Sequence, residues 1–142
     1  MVYTNQVKKA LILAYNAHKE QLDKGGMPYI FHPFFVAMHL EDENEVTAAL
    51  LHDVCEDTDI TVEELEKQGF GKEVTEALRL LTHESGTDYM EYIRGLKHNK
   101  IAKNVKLWDL KHNSMLSRLD NVTQRDIERA EKYAHAIKIL EE

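Results

Sequence analysis

The chain has 142 residues, of which 43% are hydrophobic and 30% are charged, and its formal net charge is -7. This length suits one domain with its own hydrophobic core, and no apolar run approaches the roughly 20 residues that a membrane-spanning helix requires. The acidic balance argues against a general nucleic-acid binder, because phosphate backbones are held by clusters of Lys and Arg. It does not exclude a protein that binds a small phosphorylated substrate.

The first residues lack the basic and apolar regions of a secretory signal. The single cysteine, Cys55, excludes an internal disulfide and is compatible with a reducing compartment. We therefore expect a cytoplasmic protein without a membrane segment, folded as one domain over residues 1–142.

Apolar residues recur at helical spacing from the beginning of the chain. Thr4 can cap a first helix that runs to about Leu22. The glycine pair at Gly25, followed by Pro28, predicts a loop, because glycine tolerates φ > 0 and proline cannot continue a helix. Pro33 suits the first turn of a second helix, where its missing N–H is no loss.

The middle of the chain predicts two further helices. The acidic stretch at residues 41–45 has few apolar residues and predicts a connection into a third helix over residues 48–54. Thr61 and Glu64 form a capping box for a short fourth helix, which Gly69 should close.

The remaining residues continue the helical pattern, and no β-alternation competes with it. One helix should begin near Lys72, another should follow the loop at residues 83–86, and a third should carry Asp109. The last should begin near Thr123, with Asp126 in the capping-box position. The sequence therefore predicts an all-α domain of about seven or eight helices.

Four of the six residues from His52 to Asp57 can bind a metal ion or move a proton. His52 and Asp53 come first, at the end of the third predicted helix, while His32 lies upstream and Asp109 downstream. Two imidazoles and two carboxylates would suit Mn²⁺, Fe²⁺ or Zn²⁺, whereas Mg²⁺ usually lies among oxygen ligands. Four protein ligands leave coordination positions open, which is typical of a catalytic site.

The other two reactive residues of this stretch, Glu56 and Asp57, lie one helical turn beyond His52 and Asp53. If the helix persists, all four side chains point to one side, where the second pair could orient or deprotonate a water molecule. Asn113 lies one turn after the Asp109 carboxylate and could hold a substrate oxygen there.

The order of these motifs resembles the HD-domain hydrolases of the RelA/SpoT type. The resemblance rests on His32-Pro33, on His52-Asp53 with Glu56-Asp57, and on the segment from Lys106 to Asn113. That group includes small, single-domain alarmone hydrolases, which remove the 3′-diphosphate from guanosine penta- and tetraphosphate. The resemblance begins near His18 and covers about two thirds of the chain.

The resemblance implies an all-α fold and hydrolysis of a nucleoside 3′-pyrophosphate ester, with release of pyrophosphate. It also implies Mn²⁺ as the metal and a small-molecule nucleotide as the binding partner. The implied residues are His32, His52, Asp53 and Asp109 for the metal, Glu56 and Asp57 for water activation, and Lys24 and Asn113 for the substrate.

Three positions depart from the family pattern, because Asp23, Leu110 and Met115 stand where the family usually has arginines. Arg planes stack on bases and bind phosphates in ways that these side chains cannot reproduce. The base of the substrate, the native metal and the oligomeric state therefore stay open. Two alternatives also stay open: a nucleotide phosphomonoesterase, and a catalytically silent domain that binds metal or nucleotide.

Two individual residues keep a simpler interpretation beside the functional one. Lys24 is either a substrate contact or an ordinary surface lysine next to Asp23. His112 is either a hydrogen-bond partner of a metal ligand or a histidine on the helix surface.

Overall fold

Helices account for the regular structure in a computed structural model that describes residues 1–142. The predicted all-α fold is confirmed, with eight α-helices and one 3₁₀ helix at Leu116–Arg118. The α-helices are α1 Asn5–His18, α2 Phe31–Met38, α3 Glu43–Asp57, α4 Val62–Lys67, α5 Lys72–Leu81, α6 Tyr89–Leu96, α7 Lys100–Asn113 and α8 Gln124–Glu141. None of them combines the length and the hydrophobicity that crossing a bilayer requires.

Local capping chemistry fixes several of the helix starts. The Thr4 side chain accepts a hydrogen bond from Val7 N–H at the start of α1. The Thr61 hydroxyl accepts one from the Glu64 N–H at the start of α4. Before α8, Thr123 and Asp126 form the complete capping box, as predicted.

Two predicted boundaries are wrong. Helix α1 ends at His18 rather than near Leu22, because the chain turns back there and Leu22 forms an isolated antiparallel bridge with Pro28. Helix α3 begins at Glu43, so residues 43–45 of the acidic stretch form its first turn rather than a connection. The Asp42 side chain caps that turn, and acidic groups there favour the positive end of the helix dipole.

Helix α3 lies at the centre of the fold and packs against α1, α2, α5 and α7. Its residues from Glu45 to Val54 are all buried, including His52 and Asp53. Buried polar side chains need polar partners. Other helices must therefore supply polar groups near His52 and Asp53, in the C-terminal half of α3.

Candidate metal centre and active site

The four predicted metal ligands converge from three helices. Helix α2 contributes His32, α3 contributes His52 and Asp53, and α7 contributes Asp109. One ligand atom from each residue lies within 4.8 Å of all the others, and all four side chains are buried. The structure thus brings these residues together as a candidate site for a divalent metal.

The ring of His52 is oriented so that one nitrogen faces the two carboxylates. Its Nδ1 lies 2.6 Å from the carbonyl oxygen of Ala49, which can only accept, so Nδ1 carries a proton. Its Nε2 lies 3.2 Å from Asp53 Oδ2, yet it is buried and makes no hydrogen bond of acceptable geometry. A cation held between this nitrogen and the carboxylates would give the atom a partner, so the donor set fits a metal ion.

The charge around His52 also determines its protonation without a metal. Burial alone would lower the pKa of this imidazole, but the Asp53 and Asp109 carboxylates raise the pKa to about 9. At neutral pH a proton therefore occupies the nitrogen that a cation would need.

His112 is a partner of the candidate ligand His32 and not a surface residue. The Nδ1 atoms of the two rings lie 2.7 Å apart, and the rings are nearly coplanar and meet edge to edge, with centroids 5.0 Å apart. The ring of His112 is also stacked on Phe35, with centroids 3.9 Å apart. Burial, together with the nearby Arg118, lowers the pKa of His112 to about 4. A neutral His112 can accept the Nδ1 proton of His32 and leave Nε2 of His32 free to bind a metal.

The carboxylates have partners that the sequence interpretation missed. The Nζ of Lys106 donates to Asp109 Oδ2 at 2.8 Å, and the hydroxyl of Tyr29 donates to Asp53 Oδ2 at 2.8 Å. Burial would lower the pKa of Lys106, but Asp109 holds it well above its ordinary value. Lys106 precedes Asp109 by three residues on α7, a helical spacing that could have identified it.

An inner cavity of about 230 Å³ opens beside the cluster and contains both predicted water-activating residues, Glu56 and Asp57. Partial removal from water and the charge of Asp53 raise the pKa of each carboxyl above its ordinary value. Raised pKa values make the two carboxylates stronger bases. The cavity is lined by Tyr29, Asp53, Glu56, Asp57, His83, Tyr89, Tyr92, Lys106, Asp109, Leu110, Asn113 and Tyr133.

An outer cavity of about 320 Å³ adjoins the inner one and contains the predicted substrate residues Lys24 and Asn113. Asn113, Tyr29 and Tyr133 line both cavities, so the two are contiguous. Lys24 is exposed at the edge, whereas the Nδ2 of Asn113 donates to Asp109 Oδ1 at 3.1 Å.

The three positions that depart from the family pattern have different environments. Leu110 is buried and lines the inner cavity, whereas Met115 and Asp23 line the outer cavity. The outer cavity also contains Arg118 and Arg129, which the sequence interpretation missed because no motif includes them.

Comparison with known proteins places this geometry in a family. Residues 10–133 match the HD domain. The guanosine-3′,5′-bis(diphosphate) 3′-pyrophosphohydrolase of Aquifex aeolicus is 34% identical over 142 residues, covering 92% of this chain and 19% of that protein. The bifunctional (p)ppGpp synthase/hydrolase SpoT of Escherichia coli is 44% identical over 75 residues, covering 50% of this chain and 10% of that protein.

The chain thus spans less than a fifth of the length of each of these two relatives. A solved structure of similar length is that of a metazoan ortholog of SpoT that hydrolyses ppGpp. It is 28% identical, with a TM-score of 0.78 over 99% of this chain and 88% of that one. The family resemblance predicted from the motifs is confirmed, and the chain belongs to the HD-domain family.

Proposed function

We propose that this protein is a metal-dependent hydrolase that removes the 3′-diphosphate from guanosine 3′,5′-bis(diphosphate), or from a related nucleoside 3′-diphosphate, and releases pyrophosphate. One observation carries the proposal: two of the four converging side chains, Asp53 and Asp109, line a cavity that also contains Glu56 and Asp57. The names of the relatives support the same reaction. The metazoan ortholog supports it further, because the chain covers 88% of that structure.

The metal in this proposal is held by His32, His52, Asp53 and Asp109. Two nitrogen and two oxygen donors favour Mn²⁺, with Fe²⁺ or Zn²⁺ as alternatives. When bound, such a cation would polarise a phosphoryl oxygen and make a nearby water more acidic.

The residues of the chain have separate tasks in this reaction. Glu56 and Asp57 accept the proton of the attacking water, and their raised pKa values suit them to do so at neutral pH. Lys106 places a fixed positive charge at the wall of the inner cavity, which attracts an anionic diphosphate to an otherwise acidic protein.

Asn113 and Lys24 bind the substrate in this proposal. The amide nitrogen of Asn113 is engaged with Asp109, so its carbonyl oxygen remains to accept a hydrogen bond from a substrate hydroxyl. Lys24 lies at the edge of the outer cavity, where it can contact a phosphate group. The nucleotide would therefore extend from the inner cavity into the outer one.

A product assay tests the proposal directly. Protein stripped of metal and reloaded with Mn²⁺ is incubated with guanosine and adenosine 3′-diphosphates and with nucleoside monophosphates, and pyrophosphate and phosphate are measured separately. We expect pyrophosphate from the 3′-diphosphates. Phosphate from the monophosphates alone would indicate a phosphomonoesterase, and a metal-loaded protein that releases neither product would indicate a silent domain.

A further inference from the structure

The outer cavity contains a guanidinium group that is fixed from two sides. Arg118 donates from Nη1 to the carbonyl oxygen of His112 at 3.0 Å and from Nη2 to Asp23 Oδ2 at 3.0 Å. Guanidinium N–H groups lie in the plane of the group, so two such bonds fix the orientation of that plane. The side chain is 23% exposed and lines the cavity.

Asp23 is fully engaged in holding this arrangement. Its Oδ1 accepts hydrogen bonds from the N–H groups of Gly25 and Met27, each at 2.9 Å, while its Oδ2 binds Arg118. Burial alone would raise the pKa of Asp23, but these hydrogen bonds outweigh it and the pKa lies below its ordinary value. Asp23 is therefore ionised at neutral pH, and both of its oxygens are occupied within the protein.

The two segments that carry this ion pair are also in direct backbone contact. A Cβ atom added to Gly25 would collide with the carbonyl oxygen of Arg118. The loop at residues 22–28 and the segment at residues 115–119 thus form one joined wall of the outer cavity, and Arg118 lies at the joint.

Apolar side chains from both segments lie at the same cavity. Leu22 is 68% exposed and Met115 is 41% exposed, although both are large and hydrophobic. A ligand that covers them while it lies against a guanidinium needs apolar faces and a flat ring. A nucleotide base has this combination, and bases stack on arginine planes and on apolar side chains.

We propose that Arg118, oriented by Asp23, is the residue on which the base of the nucleotide stacks, and that it gives the site a preference for purines over pyrimidines. The choice of a nucleotide as ligand rests on the proposed function. The purine preference follows from area, because a two-ring base covers more of the guanidinium and of the apolar wall than a one-ring base.

Equilibrium binding to the full chain tests this proposal without requiring turnover. Calorimetry with guanosine 3′,5′-bisphosphate and uridine 3′,5′-bisphosphate gives the ratio of their dissociation constants. We expect wild type to favour the purine by about tenfold. Arg118→Met should remove most of this preference, and so should Arg118→Lys, which keeps the charge beside Asp23 but has no planar face.

Two variants serve as comparisons. Arg94→Lys changes an exposed arginine on α6 that does not line the cavity, and it should keep the wild-type ratio. Asp23→Asn keeps an oxygen for the two backbone N–H groups but loses the charge that holds Arg118, so it should give an intermediate ratio. This variant tests the proposal even if the Arg118 variants fail to fold, and thermal unfolding of each protein shows whether they do.

A wild type that binds neither nucleotide, or binds both equally, would overturn the proposal. Arg118 variants that weaken the binding of both nucleotides by the same factor would also overturn it, because a purely structural role of Arg118 has this effect. The proposed function fails by a different measurement, the absence of pyrophosphate release, and that failure would not alter the binding ratios.

Discussion

A proton and a divalent cation compete for the same nitrogen of His52, so we expect the affinity for Mn²⁺ to rise with pH. The pKa of His52 in the metal-free protein is raised to about 9, because the Asp53 and Asp109 carboxylates outweigh the effect of burial. A metal can bind Nε2 only after this proton has left.

The size of this pH effect on the Mn²⁺ affinity follows from the pKa of His52. With a pKa of about 9, the unprotonated fraction of His52 rises from about 1% at pH 7.0 to about a quarter at pH 8.5, so the affinity for Mn²⁺ should rise about 25-fold over this range. Histidines with ordinary pKa values near 6.5 are already mostly neutral in this range. The rise of the Mn²⁺ affinity with pH therefore depends mainly on His52.

Isothermal titration of the metal-free protein with Mn²⁺ measures this dependence. Buffers with different ionisation enthalpies also give the number of protons released, which should be near one per ion at pH 7.0. His98→Gln, a change at an exposed histidine outside the cluster, should leave the slope unchanged. An affinity that changes less than about threefold over this range, with little proton release, would refute the reasoning.

The same pKa predicts the sign of a stability change. Because the pKa of His52 is higher in the folded protein than its unfolded value of about 6.5, the protonated imidazole stabilises the metal-free fold fully below that pH. This contribution is lost as the pH rises through about 9. Thermal unfolding of metal-free protein should thus occur at lower temperature at pH 9.5 than at pH 7.

Three further changes have expected outcomes. Glu56→Gln should still bind Mn²⁺ but should lower kcat by roughly 10²-fold, which is the scale of losing a general base. Glu84→Gln, a change at an exposed carboxylate, should leave kcat unchanged. Gly25→Ala should lower the free energy of unfolding by about 1–3 kcal/mol, because its Cβ meets backbone; Gly95→Ala, with open space in a helix, should raise it by about 0.5–1 kcal/mol. His112→Phe keeps an aromatic ring stacked on Phe35 but removes the Nδ1 acceptor for His32, so the Mn²⁺ dissociation constant measured by titration should rise about 10- to 100-fold.

Local chemistry made much of the fold predictable from the sequence. Capping at Thr61 and at Thr123 depends on residues three positions apart, and helical periodicity is visible in any short window. The end of α1 could not be predicted in this way. Its continuation pairs across a loop, where Tyr29 N–H donates to the Gln21 carbonyl oxygen at 2.9 Å and Leu22 bridges Pro28.

The same distinction applies to the candidate site. The ligand types and their order could be predicted, because His and Asp in a family motif indicate a metal-binding chemistry. The partners of those ligands could not, since they depend on how helices pack. Tyr29 and Asp53 are 24 residues apart and His32 and His112 are 80 apart, so no local pattern relates them.

Asp23 and Arg118 show why a missing residue in a motif cannot be interpreted alone. From the sequence, Asp23 marks the loss of an arginine. In the structure, its carboxylate holds another arginine that lies 95 residues later in the chain and lines the same cavity. An arginine at position 23 would place two guanidinium groups against each other at the joint beside Gly25, where like charges repel. In this structure the carboxylate of Asp23 and the guanidinium of Arg118 form one unit, so the absence of an arginine at position 23 has to be interpreted together with the arginine at position 118.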